Sequence, residues 1–162
     1  MSQPDDRRDH LATYLNDHLA GASGGLELAE RLAERYPEGQ MGAFLERLAR
    51  EIEDERAALK EAMERLDIPE NSIKQALAWA GEKVGRLKPN DAFVSPSPLS
   101  RLIELEAMAL GVEGKLSMWR SLEIAGIDAG LDLPLLIEQA AAQREALEQY
   151  RREAAASVLG GF

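Results

Sequence analysis

Apolar positions recur every three to four residues over four long stretches of this chain, and almost nowhere do they alternate. That is the period of helices burying one side. In the first stretch Leu11, Tyr14, Leu15, His18, Ala22, Leu26, Ala29, Leu32, Ala33 and Tyr36 form one stripe, which predicts a helix over 6–36. "YPEG" ends it, because Pro37 and Gly39 break helices. Met41, Phe44, Leu45, Leu48, Ile52, Leu59, Ala62, Met63 and Leu66 predict a second helix over 40–66. A shorter amphipathic segment over 71–87 carries Ile73, Leu77, Ala80, Val84 and Leu87 on one side. Ser97 and Pro98 then have the chemistry of an N-cap and a first helical residue, opening a helix over 98–125. After the turn "GIDAGLD", Asp132 is placed to cap a fourth long helix over 133–159. No strand pattern, short repeat or low-complexity run interrupts this order. A single helical-bundle domain over 1–162 is expected, with flexible tails at 1–5 and 160–162 and a crossover at 68–97.

The connections sharpen the architecture. The first and second helices are joined tightly, as are the third and fourth, so each pair is expected to be an antiparallel hairpin. The link between hairpins is about thirty residues, enough to travel the length of a bundle. Two hairpins joined by one long crossover resemble the ferritin-like four-helix-bundle superfamily in helix order and length, over nearly the whole chain. The resemblance implies an all-α bundle with a short fifth helix in the crossover and, in its di-iron members, a metal site at mid-bundle. That site takes a Glu from each of two helices and Glu-x-x-His from each of the other two. This chain departs from the pattern. Its two histidines, His10 and His18, both lie on the first helix, and Glu53-x-x-Arg56 and Glu145-x-x-Glu148 keep the spacing without the ligand.

Composition changes the picture in three places. The chain is 45% hydrophobic but only 5% aromatic, with 30% charged residues, which suits helix over sheet. A net charge of −10 argues against nucleic acid and anionic membrane surfaces as partners. The absence of cysteine removes disulfides, thiolate metal sites and cysteine nucleophiles, and fits a reducing compartment. With no apolar leader at "MSQPDDRRDH" and no run long enough to span a bilayer, a cytoplasmic location is expected. No phosphate-binding loop or Ser-His-Asp set is legible.

The charges that remain to be explained lie within the stripes. The third helix places Glu106, Glu113 and Arg120 in the same broad sector as Leu102, Ile103, Ala109 and Leu110. In a hairpin centred near Asp128, level residues have numbers adding to about 257, which matches Leu99 with Val158, Ile103 with Ala154, Leu110 with Leu147 and Ser117 with Ala140. The same register sets Glu106 against Arg151 and Glu113 against Arg144, leaving Arg120 without an acidic partner. In the first hairpin Leu32 meets Leu45 and Ala29 meets Leu48, which puts Glu55 and Arg56 opposite "GASGG", residues 21–25. Those glycines mark either a kink or a place where small residues make room for charge or for another helix. A crossover would bring Glu55 and Glu113 to one level at mid-bundle.

Two arrangements compete there. In the first, Glu55, Arg56, Glu106, Glu113, Arg144 and Arg151 form an internal Arg–Glu network in place of a di-metal site. A guanidinium cannot deprotonate to admit a metal, and it matches a carboxylate bidentately. The chain is then a non-catalytic structural or protein-interaction module without a cofactor, homodimeric, with a protein partner the sequence does not name. In the alternative, His18, Glu55, Glu106 and Glu113 bind iron or manganese for oxidase- or storage-type chemistry. His18 on its own is expected to be a satisfied core residue. Trp79 and Trp119, off the central stripes, are expected to pack the crossover helix or line a subunit contact.

Overall fold

The computed structural model describes residues 4–71 and 97–161. They form four α-helices: α1 (Pro4–Arg35), α2 (Gly39–Arg65), α3 (Pro98–Ala125) and α4 (Leu133–Leu159). The expected helix over 71–87 lies outside the described residues beyond Asn71, as do Trp79 and tail residues 1–3 and 162. Local chemistry sets the helix ends where the sequence places them. The Ser97 hydroxyl accepts from the backbone N–H of Ser100, and the Asp132 carboxylate accepts from that of Leu135, each satisfying a donor that has no partner within its helix. Gly126 closes α3 in the left-handed conformation (φ 68°), which a side chain would disfavour. At the α1–α2 turn the chain doubles back so closely that a Cβ on Gly42 would collide with the Pro37 carbonyl.

Packing fixes the directions. Besides the two hairpins, α1 packs on α3 and α2 on α4. Arg35, at the end of α1, bonds Glu104 near the start of α3, so these helices are antiparallel. Phe44, early in α2, meets Tyr150, late in α4, with ring centroids 5.2 Å apart, so this pair is antiparallel too. Consequently α2 and α3 run the same way. Leu66, at the end of α2, and Ser97, before the start of α3, therefore lie at opposite ends of the bundle.

The core falls into two apolar clusters, one in each half. The first is built around Leu32, Leu45, Leu48, Leu105, Met108 and Leu147. The second is built around Leu15, Leu59, Met63, Leu116, Trp119 and Ala140. Between Ile52 and Leu59 on α2, Val112 and Leu116 on α3, and Ala140 and Leu147 on α4 lies a polar layer. At this level α1 offers the glycine-rich stretch 21–25.

Two expectations about faces are corrected. Trp119 does not lie off the central stripes: it is 1% exposed and belongs to the second cluster. The buried face of α3 is also rotated from the expected one. It carries Leu102, Leu105, Met108, Val112, Leu116 and Leu122, while Leu110 is 74% exposed. α3 is apolar on nearly every side, so periodicity alone does not fix its rotation. The glycine-rich stretch 21–25 does not interrupt the helix: α1 is continuous from Pro4 to Arg35.

Candidate functional site

The polar layer is a charged centre. Lys115 reaches inward from α3, pairs with Glu55 of α2 and donates to Gln143 Oε1 of α4 at 2.6 Å. Gln143 turns its amide nitrogen to Glu51 Oε2 (2.8 Å) and to Glu55 Oε1 (3.1 Å). Three helices thus contribute to one hydrogen-bonded set, and both Gln143 and Glu55 are buried. Burial raises the pKa of Glu55, against the opposing pull of the Lys115 ammonium. Burial lowers the pKa of Lys115, and Glu55 opposes that in turn. Desolvation therefore disfavours both ions, and their mutual contact restores part of the loss.

A cleft adjoins this centre between α1 and α3, with α2 as its floor; its volume is about 270 Å³. One wall is Gly21, Ala22 and Gly25 of α1, and Gly111 and Gly114 of α3 face it. A Cβ built on any of these four glycines would meet no atom within 4 Å. They neither relieve crowding nor draw helices together; they leave the space open. Ile52, Leu59, Met108, Val112, Met118 and Trp119 supply an apolar interior. His18 lies half-buried at the edge, its ring 4.6 Å from that of Tyr14 in an edge-on contact. Burial lowers the His18 pKa, and Asp17 opposes the shift.

Two residues of the cleft lining each carry a buried donor without a partner. The Nε1 of Trp119 and the Nε of Arg56 are buried and find no hydrogen-bond partner among the described residues. Buried polar atoms are almost always satisfied, and an unmet one costs about 1–3 kcal/mol.

The six residues expected to form one internal network are divided among the centre, the cleft and an outer groove. Glu55 is in the centre, where its cationic partner is Lys115, and Arg56 lines the cleft beside it. The other four lie on the outer groove between α3 and α4. There Arg144 Nε is 2.9 Å from Glu113, and Arg151 Nη1 is 3.8 Å from Glu106. Arg151 bonds more closely to its own helix, gripping Glu148 with Nε and Nη2 at 2.7 and 2.9 Å. These pairs are open to water, with the Glu113 and Arg144 side chains 47% and 58% exposed. The metal alternative is not assembled, because His18, Glu55, Glu106 and Glu113 occupy the cleft, the centre and the outer groove. Among the described residues no three His, Asp or Glu side chains come together to hold an ion. Arg120 is exposed.

A second buried pair escaped the sequence reading altogether. Glu104 is 2% exposed and accepts from Arg35 Nη1 at 2.6 Å and from the Tyr36 hydroxyl at 3.4 Å. Burial raises the Tyr36 pKa, and the Glu104 charge adds to the shift. Lys115 and Glu104 had one available signal: each is a lone charge on the long apolar face of α3, in helical step with Leu105, Met108 and Leu122. No protein-family model, curated protein or solved structure matches the chain.

Proposed function

We propose that this chain is a non-catalytic, ferritin-like bundle acting as a structural or protein-interaction module, with an internal cation–carboxylate centre in place of a di-metal site. The observation that carries this reading is the position of the Lys115 ammonium. It supplies positive charge at mid-bundle and engages the carboxylate of Glu55, a residue of the alternative metal set, together with Gln143. A buried cation–carboxylate pair also suits a scaffold, because one helix register brings the two partners together and a shifted one leaves a buried charge unpaired. Metal analysis of protein purified without chelator tests it. No near-stoichiometric metal is expected; iron or manganese that binds stoichiometrically and is lost in Glu55→Ala overturns it. Homodimer formation is part of the proposal. Sedimentation equilibrium is expected to return twice the chain mass, and a single-chain mass at all concentrations removes that part.

A further inference from the structure

We propose that the α1–α3 cleft binds a small amphiphilic anion: a compact apolar body, either a ring or a short alkyl chain, ending in one carboxylate. The site is independent of the scaffold role, because it rests on different residues.

Its shape is built by the sequence rather than left by poor packing. Glycine is a poorer helix former than alanine, yet Gly21 and Gly25 line the cleft from α1 and Gly111 and Gly114 from α3. Any of them could carry a Cβ without a clash. Small size is therefore not required by the helix packing; it keeps the cleft open. An apolar cavity of about 150 Å³ suffices to bind benzene, and this cleft, at about 270 Å³, has room for more than one ring's volume.

Its chemistry is that of an acceptor site. Trp119, 1% exposed, holds a buried indole N–H with no partner, and Arg56 holds a buried Nε in the same condition. Both atoms donate, and neither can be satisfied by an apolar ligand or by a cation. The charges lining the cleft are Asp17, Glu55, Arg56 and Lys115, with His18 held toward its neutral form by burial. Glu55 and Lys115 are committed to each other, and Asp17 is exposed. That leaves the Arg56 guanidinium as the cation for a ligand's carboxylate, since it forms no ion pair among the described residues. A ligand that placed its carboxylate on Arg56 and Trp119 would set its apolar body among Ile52, Leu59 and Met118.

Octanoate, 1-octanol and octylamine are the probes, titrated into the full chain while the indole N–H resonance of Trp119 is followed by NMR, with Trp79→Phe used to assign it. Octanoate is expected to move that resonance saturably, with octanol about 10- to 100-fold weaker, the range set by a charge-assisted hydrogen bond, and octylamine weaker still. Arg56→Met is expected to lower octanoate affinity to that of octanol and leave octanol unchanged. Gly25→Leu fills the cleft with a better helix former, so binding of both is lost while the melting temperature does not fall. Gly111→Leu repeats the test from α3. The proposal is overturned if no probe moves the resonance at millimolar concentration. It is equally overturned if octanoate binds no better than octanol, or if both filling variants still bind it.

Discussion

The outer groove and the mid-bundle centre hold the same kind of contact, a carboxylate of one helix against a cation of another, in opposite surroundings. Glu113 and Arg144 meet at 2.9 Å with about half of each side chain in water, whereas Glu55 is 5% exposed and Lys115 13%. In the groove either ion can be solvated when its partner is removed. In the centre it cannot. The difference separates contacts that decorate a fold from contacts that the fold depends on once they are present.

The largest effect should therefore follow from breaking the centre on one side only. Lys115→Met leaves Glu55 buried without its cation and is expected to cost about 3–5 kcal/mol in urea unfolding at neutral pH. Glu55→Gln should be of similar size, with the cation orphaned instead. Replacing both with Leu and Met should cost less than either single change, because no uncompensated charge is then buried. If the single changes cost no more than the groove variants, the contrast between the two regions fails.

The pH dependence of those variants sharpens the same contrast, because the two should slope in opposite directions. Burial raises the pKa of Glu55, so the folded state of Lys115→Met holds a proton more tightly than the unfolded chain does. Its stability must then fall as pH rises, and the deficit should shrink from about pH 8 toward about pH 5. In Glu55→Gln the remaining group is Lys115, whose pKa burial lowers. The unfolded chain now binds the proton more tightly, so stability rises with pH and the deficit shrinks toward about pH 10. Parallel slopes would show that the two groups do not form the buried pair described.

An intermediate effect is expected at Glu104. Its carboxylate is buried, but its partner Arg35 keeps 23% of its side chain exposed and can turn to water. Glu104→Gln preserves the shape and part of the hydrogen bonding, so a loss of about 1–3 kcal/mol is expected in the same unfolding assay. A neutral result would place Glu104 with the groove residues.

How far these sites were legible depends on which property of a helix each one needs. Level along the bundle is set by loop length and rise per residue, and the sequence carries both. The hairpin register brought Glu106 to Arg151 and Glu113 to Arg144, and the parallel run of α2 and α3 put Glu55 level with the residues around Glu113. Rotation about the helix axis is set by amphipathic contrast, which α3 lacks. Leu110 and Ile124 lie in water while Glu104 and Lys115 lie inside. The residue level with Glu55 is therefore Lys115, two positions beyond Glu113 and on a different side of the helix. A two-residue step changes the height by only about 3 Å but turns the side chain by more than half a circle. The cleft was less legible still. The glycines of α1 were visible, but those of α3 became their counterparts only once α3 had its true rotation.

The smallest expected effect tests the other side of the comparison. Glu113→Gln removes the charge that Arg144 meets and leaves both side chains free to take water, so the loss should be under about 1 kcal/mol. Even that should shrink as salt is raised from low ionic strength to molar concentrations, where the screening length falls to about 3 Å. The centre should respond far less, because buried pairs are screened much less than exposed ones and the Glu55 and Lys115 side chains are only 5% and 13% exposed. Unfolding Glu113→Gln and Lys115→Met side by side at two salt concentrations thus yields one difference that salt erases and one that it does not. If salt erased both, the Glu55–Lys115 pair would have to be open to water, and α3 would have to be turned differently in the bundle.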